Sequence, residues 1–427
     1  MQHLLMNCLV LLVTLMSTGP AVVNAQSART AAGPDASETV APRIIRSRNF
    51  TLHTDLSDGA AEQLIERLEK MLKLISTYWG QRNRQTIEMF VVADLDNWPA
   101  GSLDADGLAS VRARAGVTKH RKVTQAGRFV AKSVVYATAD RGTPQHEAVH
   151  AYCYQTFGET GPVWYAEGMA EMGQYWKEND ASVNCSRTVA RYIHSVEPKS
   201  LNEIVNGRRE VTGDSWQNYA WRWALCHLLA TNPNYSPRFR PLGIGILTGQ
   251  KTSFERVYGS MAQEIAFEYR FFLRRFDIGF RADLAAWDWK ARYRVPRSSG
   301  TPVLASISAR AGWQASRCLV KQGQKYDYAA QGQWQFGEGM PLVDADGAPD
   351  GRGKLIGAVF DHDQYLLGKP FELGSSGSWT APADGRLVLR CRQPWTEIND
   401  ADAGKVSFRI KIAGAGQPLP AARKKQQ

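Results

Sequence analysis

The chain has 427 residues, 44% hydrophobic and 22% charged, with 52 basic against 41 acidic side chains and a formal net charge of +11. This length implies two or three domains, and the composition excludes a mostly disordered or collagen-like chain. The positive charge is scattered, with its densest cluster at Lys119, His120, Arg121 and Lys122; a solvated basic surface accounts for it, and no nucleic-acid partner is expected.

Leu4 to Met16 form an apolar run broken only by Asn7, Cys8 and Thr14, which is too short to span a bilayer. A turn-like stretch from Ser17 to Pro20 comes next, then the small-residue pattern Val23-Asn24-Ala25. Residues 1–25 therefore read as a secretory signal peptide, although its start carries only His3 and no Lys or Arg. No later stretch is apolar enough to span a membrane, so the mature chain is expected to be exported, secreted or periplasmic, without a transmembrane segment. Five cysteines remain after Cys8: Cys153, Cys185, Cys226, Cys318 and Cys391. None forms a CxxC pair, so no cysteine zinc site is expected, and the odd number leaves at least one thiol free. Cys318 and Cys391 are candidates for a bridge within the second domain.

Residues 26–42 are rich in Ala, Ser, Thr and Pro and read as a linker. Ile44 to Thr54 reads as a strand. Leu64, Ile65, Leu68, Met71, Leu72 and Ile75 recur at helical spacing. Thr86 to Ala93 and Phe129 to Tyr136 read as further strands, and from Thr143 onward the pattern is mostly helical as far as the second linker. That linker is residues 295–302, Val-Pro-Arg-Ser-Ser-Gly-Thr-Pro. Residues 303–412 alternate in short runs separated by Gly and Asp-Gly turns, as in a β-sandwich. Residues 413–427 are a tail. The expected fold class is α+β: a domain over 43–294 with strands first and helices after, then an all-β sandwich domain. The sandwich segment holds thirteen basic and twelve acidic residues, so the basic excess lies mostly on the first domain.

His146-Glu147-Ala148-Val149-His150 is an HExxH motif. Thr143 is suited to an N-cap and Pro144 to the first helical position, which places the motif in the opening turns of a helix. Positions i and i+4 share a helix face, so His146 and His150 can point at one metal, with Glu147 beside them to hold a water. A catalytic zinc needs a third protein ligand and one open position. Gly158 can end the first helix and Gly161-Pro162 can start another, carrying Trp164-Tyr165-Ala166-Glu167-Gly168-Met169-Ala170-Glu171. Glu167 is the candidate third ligand, and Glu171, one turn on, can accept a hydrogen bond from a ligand histidine.

HExxH followed by WxxEGxAE resembles the gluzincin metallopeptidases, and a poorly characterised bacterial branch of that superfamily. The resemblance implies zinc held by His146, His150 and Glu167, with Glu147 as general base and Glu171 orienting a histidine, where relatives often carry Asp. It also implies an oxyanion donor on a later helix. Tyr219, in Ser215-Trp216-Gln217-Asn218-Tyr219-Ala220-Trp221, is the candidate, with His227 two turns behind. In gluzincins the strand before the catalytic helix pairs with extended substrate, here Phe129 to Tyr136. His53, His120, His194, His227 and His362 show no ligand spacing.

Phe371-Glu372-Leu373-Gly374, Trp379 to Leu387 and Ala403 to Ile410 are similar to a bacterial galactose-lectin-like sandwich. Such lectins hold sugar through calcium, using an Asn-Asp pair and a later Asn-Asn pair. Arg392-Gln393 and Ala401-Asp402 stand at those places, so only Asp402 remains as a calcium ligand. Asp344, Asp346 and Asp350 lack the distal Glu of an EF-hand and read as a solvated turn. Together these features imply an exported zinc metallopeptidase acting on a peptide or protein through a metal-activated water. The alternatives are a non-catalytic glycan- or envelope-binding protein on a gluzincin scaffold and a zinc hydrolase of a non-peptide amide.

Overall fold

The computed structural model describes residues 41–125, 128–207 and 216–419. The signal, almost all of the first linker and the end of the tail lie outside the described residues. The molecule is α+β, with a mixed helix-and-sheet part followed by a β-sandwich-like part. Among the described residues, no helix is long and apolar enough to cross a membrane.

The first sheet has five strands in the order β1-β2-β3-β5-β4. β1 (Arg43–Arg46) and β2 (Phe50–Thr54) are an antiparallel pair, so the single strand expected from Ile44 to Thr54 is two. Ser47 and Asn49 break it, because Glu69 on α1 (Asp58–Trp79) accepts from the Ser47 hydroxyl at 2.7 Å and the Asn49 backbone N–H at 2.9 Å. β3 (Ile87–Val92) runs parallel to β2 and to β5 (Arg128–Thr138).

Alternation along β3 and β5 sorts their side chains into two layers. Met89, Val91, Val135 and Ala137 face the main core with α1 and α3 (Thr143–Phe157). Phe90, Val92, Val134 and Tyr136 pack against Leu108 and Val111 of α2 (Ala105–Arg112) on the other face.

β4 (Gly116–Gln125) was not legible as a strand, and it forms the sheet edge, antiparallel to β5. This corrects the expectation that Phe129 to Tyr136 offers its edge to substrate. β5 is paired on both sides, so among the described residues the open edge belongs to β4.

α3 is buried along most of its length, as a central helix must be. Its N-cap is Gly142 rather than Thr143. Asp140 supplies the capping oxygens instead, accepting from the Gly142 and Thr143 N–H groups at 2.8 and 2.7 Å and from the Thr143 hydroxyl at 2.6 Å. Gly158, at φ +87°, ends the helix in the left-handed conformation. α4 (Val163–Tyr175) then packs on α3, with α5 (Arg187–Ser195) and α6 (Leu201–Val205) next in the chain. α7 (Trp216–Thr231), α8 (Ser236–Leu247), α9 (Phe254–Tyr258) and α10 (Ala262–Leu273) complete this part.

The second part stacks two antiparallel sheets. One follows the order β10-β9-β13-β7, with β11 also on β9, and the other β12-β8-β14-β6. Their ranges are β6 Val303–Ser308, β7 Gln314–Val320, β8 Lys325–Gln335, β9 Leu355–Asp361, β10 Leu366–Leu367, β11 Phe371–Glu372, β12 Ser376–Thr380, β13 Gly385–Cys391 and β14 Ala403–Ile412. Trp334, Leu387, Leu389, Val406 and Phe408 fill the space between the sheets.

The five cysteines among the described residues are free and buried, which corrects the Cys318–Cys391 bridge. Arg386 pairs with Leu319, so Cys318 lies near Leu387, four residues from Cys391. At about 3.3 Å per residue that is roughly 13 Å, beyond the roughly 7 Å between Cα atoms that a disulfide can cross.

Candidate metal centre

α3 and α4 bring three ligand atoms together. His146 Nε2 lies 3.2 Å from Glu167 Oε2 and 3.2 Å from His150 Nε2, and His150 Nε2 lies 3.4 Å from Glu167 Oε2. A tetrahedral zinc with bonds of about 2.05 Å spaces its ligands about 3.3 Å apart. These three separations therefore fit a zinc without rearrangement. Among the described residues, no other three His, Cys, Asp or Glu groups converge in this way.

Glu171 fixes the orientation of His146, its Oε1 lying 2.9 Å from Nδ1. Gln174 donates to Glu171 Oε2 at 2.8 Å, so the carboxylate is held in turn. His146 and Glu171 are almost completely buried. Burial alone would lower the imidazole pKa, but the bonds to Glu167 and Glu171 outweigh it and raise His146 to about 10. Burial would likewise raise Glu167, yet the charge of His150 and the bonds from both histidines hold its carboxyl well below the usual range. A buried nest of carboxylates that draws positive charge is suited to a cation.

Glu147 points to the β4 side of α3. The Thr118 hydroxyl lies 2.7 Å from Glu147 Oε2 and 2.9 Å from the Glu147 carbonyl oxygen. A Cβ at Gly116 would come within 2.6 Å of Glu147 Cγ and 2.9 Å of Oε1, so glycine leaves the carboxylate its place. Neither residue was identified from the sequence, since both reach α3 only through the register of β4. A glycine opening a strand is the one signal present.

Tyr219 on α7 sits against the centre, its ring centroid 5.3 Å from that of His146. Gly168 makes this approach possible: a Cβ there would lie 2.4 Å from Cys226 Sγ and 2.7 Å from the Arg222 carbonyl oxygen on α7. Small residues at a helix contact let the two backbones close. His227 is stacked on Phe272 and buried, and burial pushes its pKa down to about 4. It makes no contact with the three ligand groups. His120 is also outside the ligand set, but it lies beside the centre, with its ring stacked on Tyr154 at 4.0 Å.

In the sandwich, Asp402 is buried and its oxygens accept from the Gly337 N–H at 3.0 Å, the Asn399 N–H at 3.1 Å and the Gln393 amide at 3.0 Å. A calcium ion there would have to displace three donors. Asp346 accepts from Ser375, and Asp350 pairs with Arg352, so the acidic turn is satisfied locally.

No protein-family model matches the chain, and no curated protein matches it. Among solved structures, the chain is similar to one described as "EclA N-terminal domain; PllA-like lectin". That match has 17% identity and a TM-score of 0.20, and covers 26% of this chain and 94% of that one.

Proposed function

We propose that the chain is an exported zinc peptidase of gluzincin type. The observation that supports this is the ligand triangle of His146, His150 and Glu167, whose edges of 3.2 to 3.4 Å match a tetrahedral zinc. Zinc, when bound, supplies a Lewis acid that acidifies a water and polarises a carbonyl. Glu147 takes the proton of that water and passes it to the leaving amine. Thr118 holds the Glu147 carboxylate by its hydroxyl, and Gly116 keeps the space around it open. Tyr219, whose ring lies 5.3 Å from that of His146, donates to the developing oxyanion in this reading. An extended peptide adds to the free edge of β4, which passes directly over Glu147. Export rests on the apolar run and cleavage pattern of residues 1–25.

The test is to purify the mature chain, measure its zinc and assay a peptide library beside Glu147→Gln. One zinc per chain, with cleavage lost by at least about a hundredfold in Glu147→Gln, is the expected result. Zinc without any Glu147-dependent cleavage would overturn the peptidase, and Glu147-dependent hydrolysis of non-peptide amides alone would move the assignment to an amidohydrolase. Absence of zinc would overturn the metal centre.

A further inference from the structure

Beyond Thr118, the next side chain of the edge strand on the metal-side face is His120. Side chains two apart on a strand share a face, and β4 shows the alternation. Lys119 pairs with Asp104 and Asp106 at the α2 side of the sheet, while Thr118 and His120 face α3. Tyr154, on which His120 lies, is one helical turn beyond His150.

The His120 ring is held at two places. Its face lies on Tyr154 at 4.0 Å and an interplanar angle of 18°. Its Nδ1 lies 3.0 Å from Ser133 Oγ, which is itself 3.4 Å from the Ala151 carbonyl oxygen. Nε2 has no partner among the described residues, and the residue is exposed. The ring is therefore fixed in orientation while one nitrogen stays open on the edge strand that also holds Glu147 through Thr118.

Resting on the peptidase reading above, we propose that His120 is a substrate-binding residue that selects a hydrogen-bonding side chain. In a β-ladder, residues directly opposite each other put their side chains on the same face, with Cβ atoms about 4.5–5.5 Å apart. A peptide added to β4 places one residue opposite Thr118, beside Glu147, where the scissile bond must lie. The residue opposite His120 is then two positions away, with its side chain towards α3. Once the added peptide covers it from water, a fixed imidazole nitrogen there is left unsatisfied by an apolar side chain and is satisfied by Ser, Thr, Asn, Gln, Asp or Glu.

The experiment profiles cleavage of a peptide library by the zinc-loaded full chain, His120→Phe and His120→Gln. Phe keeps a ring on Tyr154 and removes Nε2, whereas Gln restores a polar atom. The wild-type chain is expected to favour polar residues two positions from the cleaved bond by about five- to tenfold, the worth of one neutral hydrogen bond. His120→Phe loses that preference mainly through KM, and His120→Gln recovers part of it. Fluorescent-peptide binding to zinc-loaded Glu147→Gln, with and without His120→Phe, reads the same difference without turnover. Cleavage with an unchanged profile in a folded, zinc-loaded His120→Phe overturns this inference alone. No Glu147-dependent cleavage by the wild-type chain overturns the peptidase reading and this inference with it.

Discussion

The contact between His146 Nδ1 and Glu171 Oε1, 2.9 Å with both groups buried, fixes the direction in which His146 Nε2 points towards His150 and Glu167. Removing such a partner typically weakens metal binding ten- to a hundredfold, so Glu171→Ala should raise the zinc dissociation constant by that factor in competition with a chelator. The same cluster sets a pH dependence for the metal-free protein. His146 is raised from 6.5 to about 10, so its pairing stabilises the fold fully below pH 6.5 and is lost as pH rises through about 10. Glu167 is lowered below 4.5, so its contribution is present above pH 4.5 and lost as pH falls through the depressed value. Chelated protein should therefore melt lower at pH 10 than at pH 6, and His146→Asn should flatten that slope. Zinc should also flatten it, because the metal replaces the proton. The clustering of His146, His150 and Glu167 was legible in the sequence because helical spacing is local: HExxH and EGxAE each lie within two turns. Thr118, Gly116 and Asp140 were not, since each acts across a gap that only the tertiary fold closes.

Elements carry the site by close approach. α4 and α7 meet at Gly168, where a Cβ would strike Cys226 Sγ at 2.4 Å and the backbone carbonyl of Arg222 at 2.7 Å. Backbone cannot yield as a side chain tip can, so Gly168→Ala should lower stability by about 1–3 kcal/mol in urea unfolding. It should also shift Tyr219 away from His146 and reduce kcat while zinc remains bound. α1 was readable because Leu64, Leu68, Met71, Leu72 and Ile75 recur with a period near 3.6, and Gly158 marks the end of α3 with its left-handed φ. β4 was hidden for a physical reason. Its sequence, Gly-Val-Thr-Lys-His-Arg-Lys-Val-Thr-Gln, is polar on both faces, as edge strands often are, and so lacks the apolar alternation that betrays a half-buried strand. The basic cluster noted in the sequence is this strand. Lys119 is consumed by Asp104 and Asp106 on the far face, so counting charge said little about what the strand does.

At the scale of the whole molecule the two parts share a third core, which no local pattern announces. Phe267 and Phe271 on α10 and Trp287 on the segment after it pack with Trp313, Ala358, Phe360 and Val388 of the sandwich. Glu268 organises this junction. Its buried carboxylate accepts from Asn232, Asn234, Tyr235, the Trp289 indole and the Trp287 backbone N–H, which seats both tryptophans against the sandwich. Arg281 adds a bridge to Asp400 at 2.7 Å, and Arg310 meets the same carboxylate at 2.7 Å. The chain then joins the sandwich before its linker begins, since Arg294 N–H donates to the Arg317 carbonyl oxygen at 3.0 Å and Leu319 N–H to that of Arg294 at 2.9 Å. α10 is also tied to α7, where the Tyr269 hydroxyl donates to the Trp221 carbonyl oxygen at 3.4 Å, so the sandwich buttresses the helix that carries Tyr219. Phe360 is the ring to remove, because it touches Phe267, Trp287 and Trp289 at once. Phe360→Ala should cost about 3–5 kcal/mol, and the loss should fall on the coupling between the parts. Calorimetry should show one unfolding transition for the wild-type chain and two for Phe360→Ala. A single transition in the variant, merely shifted to lower temperature, would show instead that the ring supports the sandwich alone.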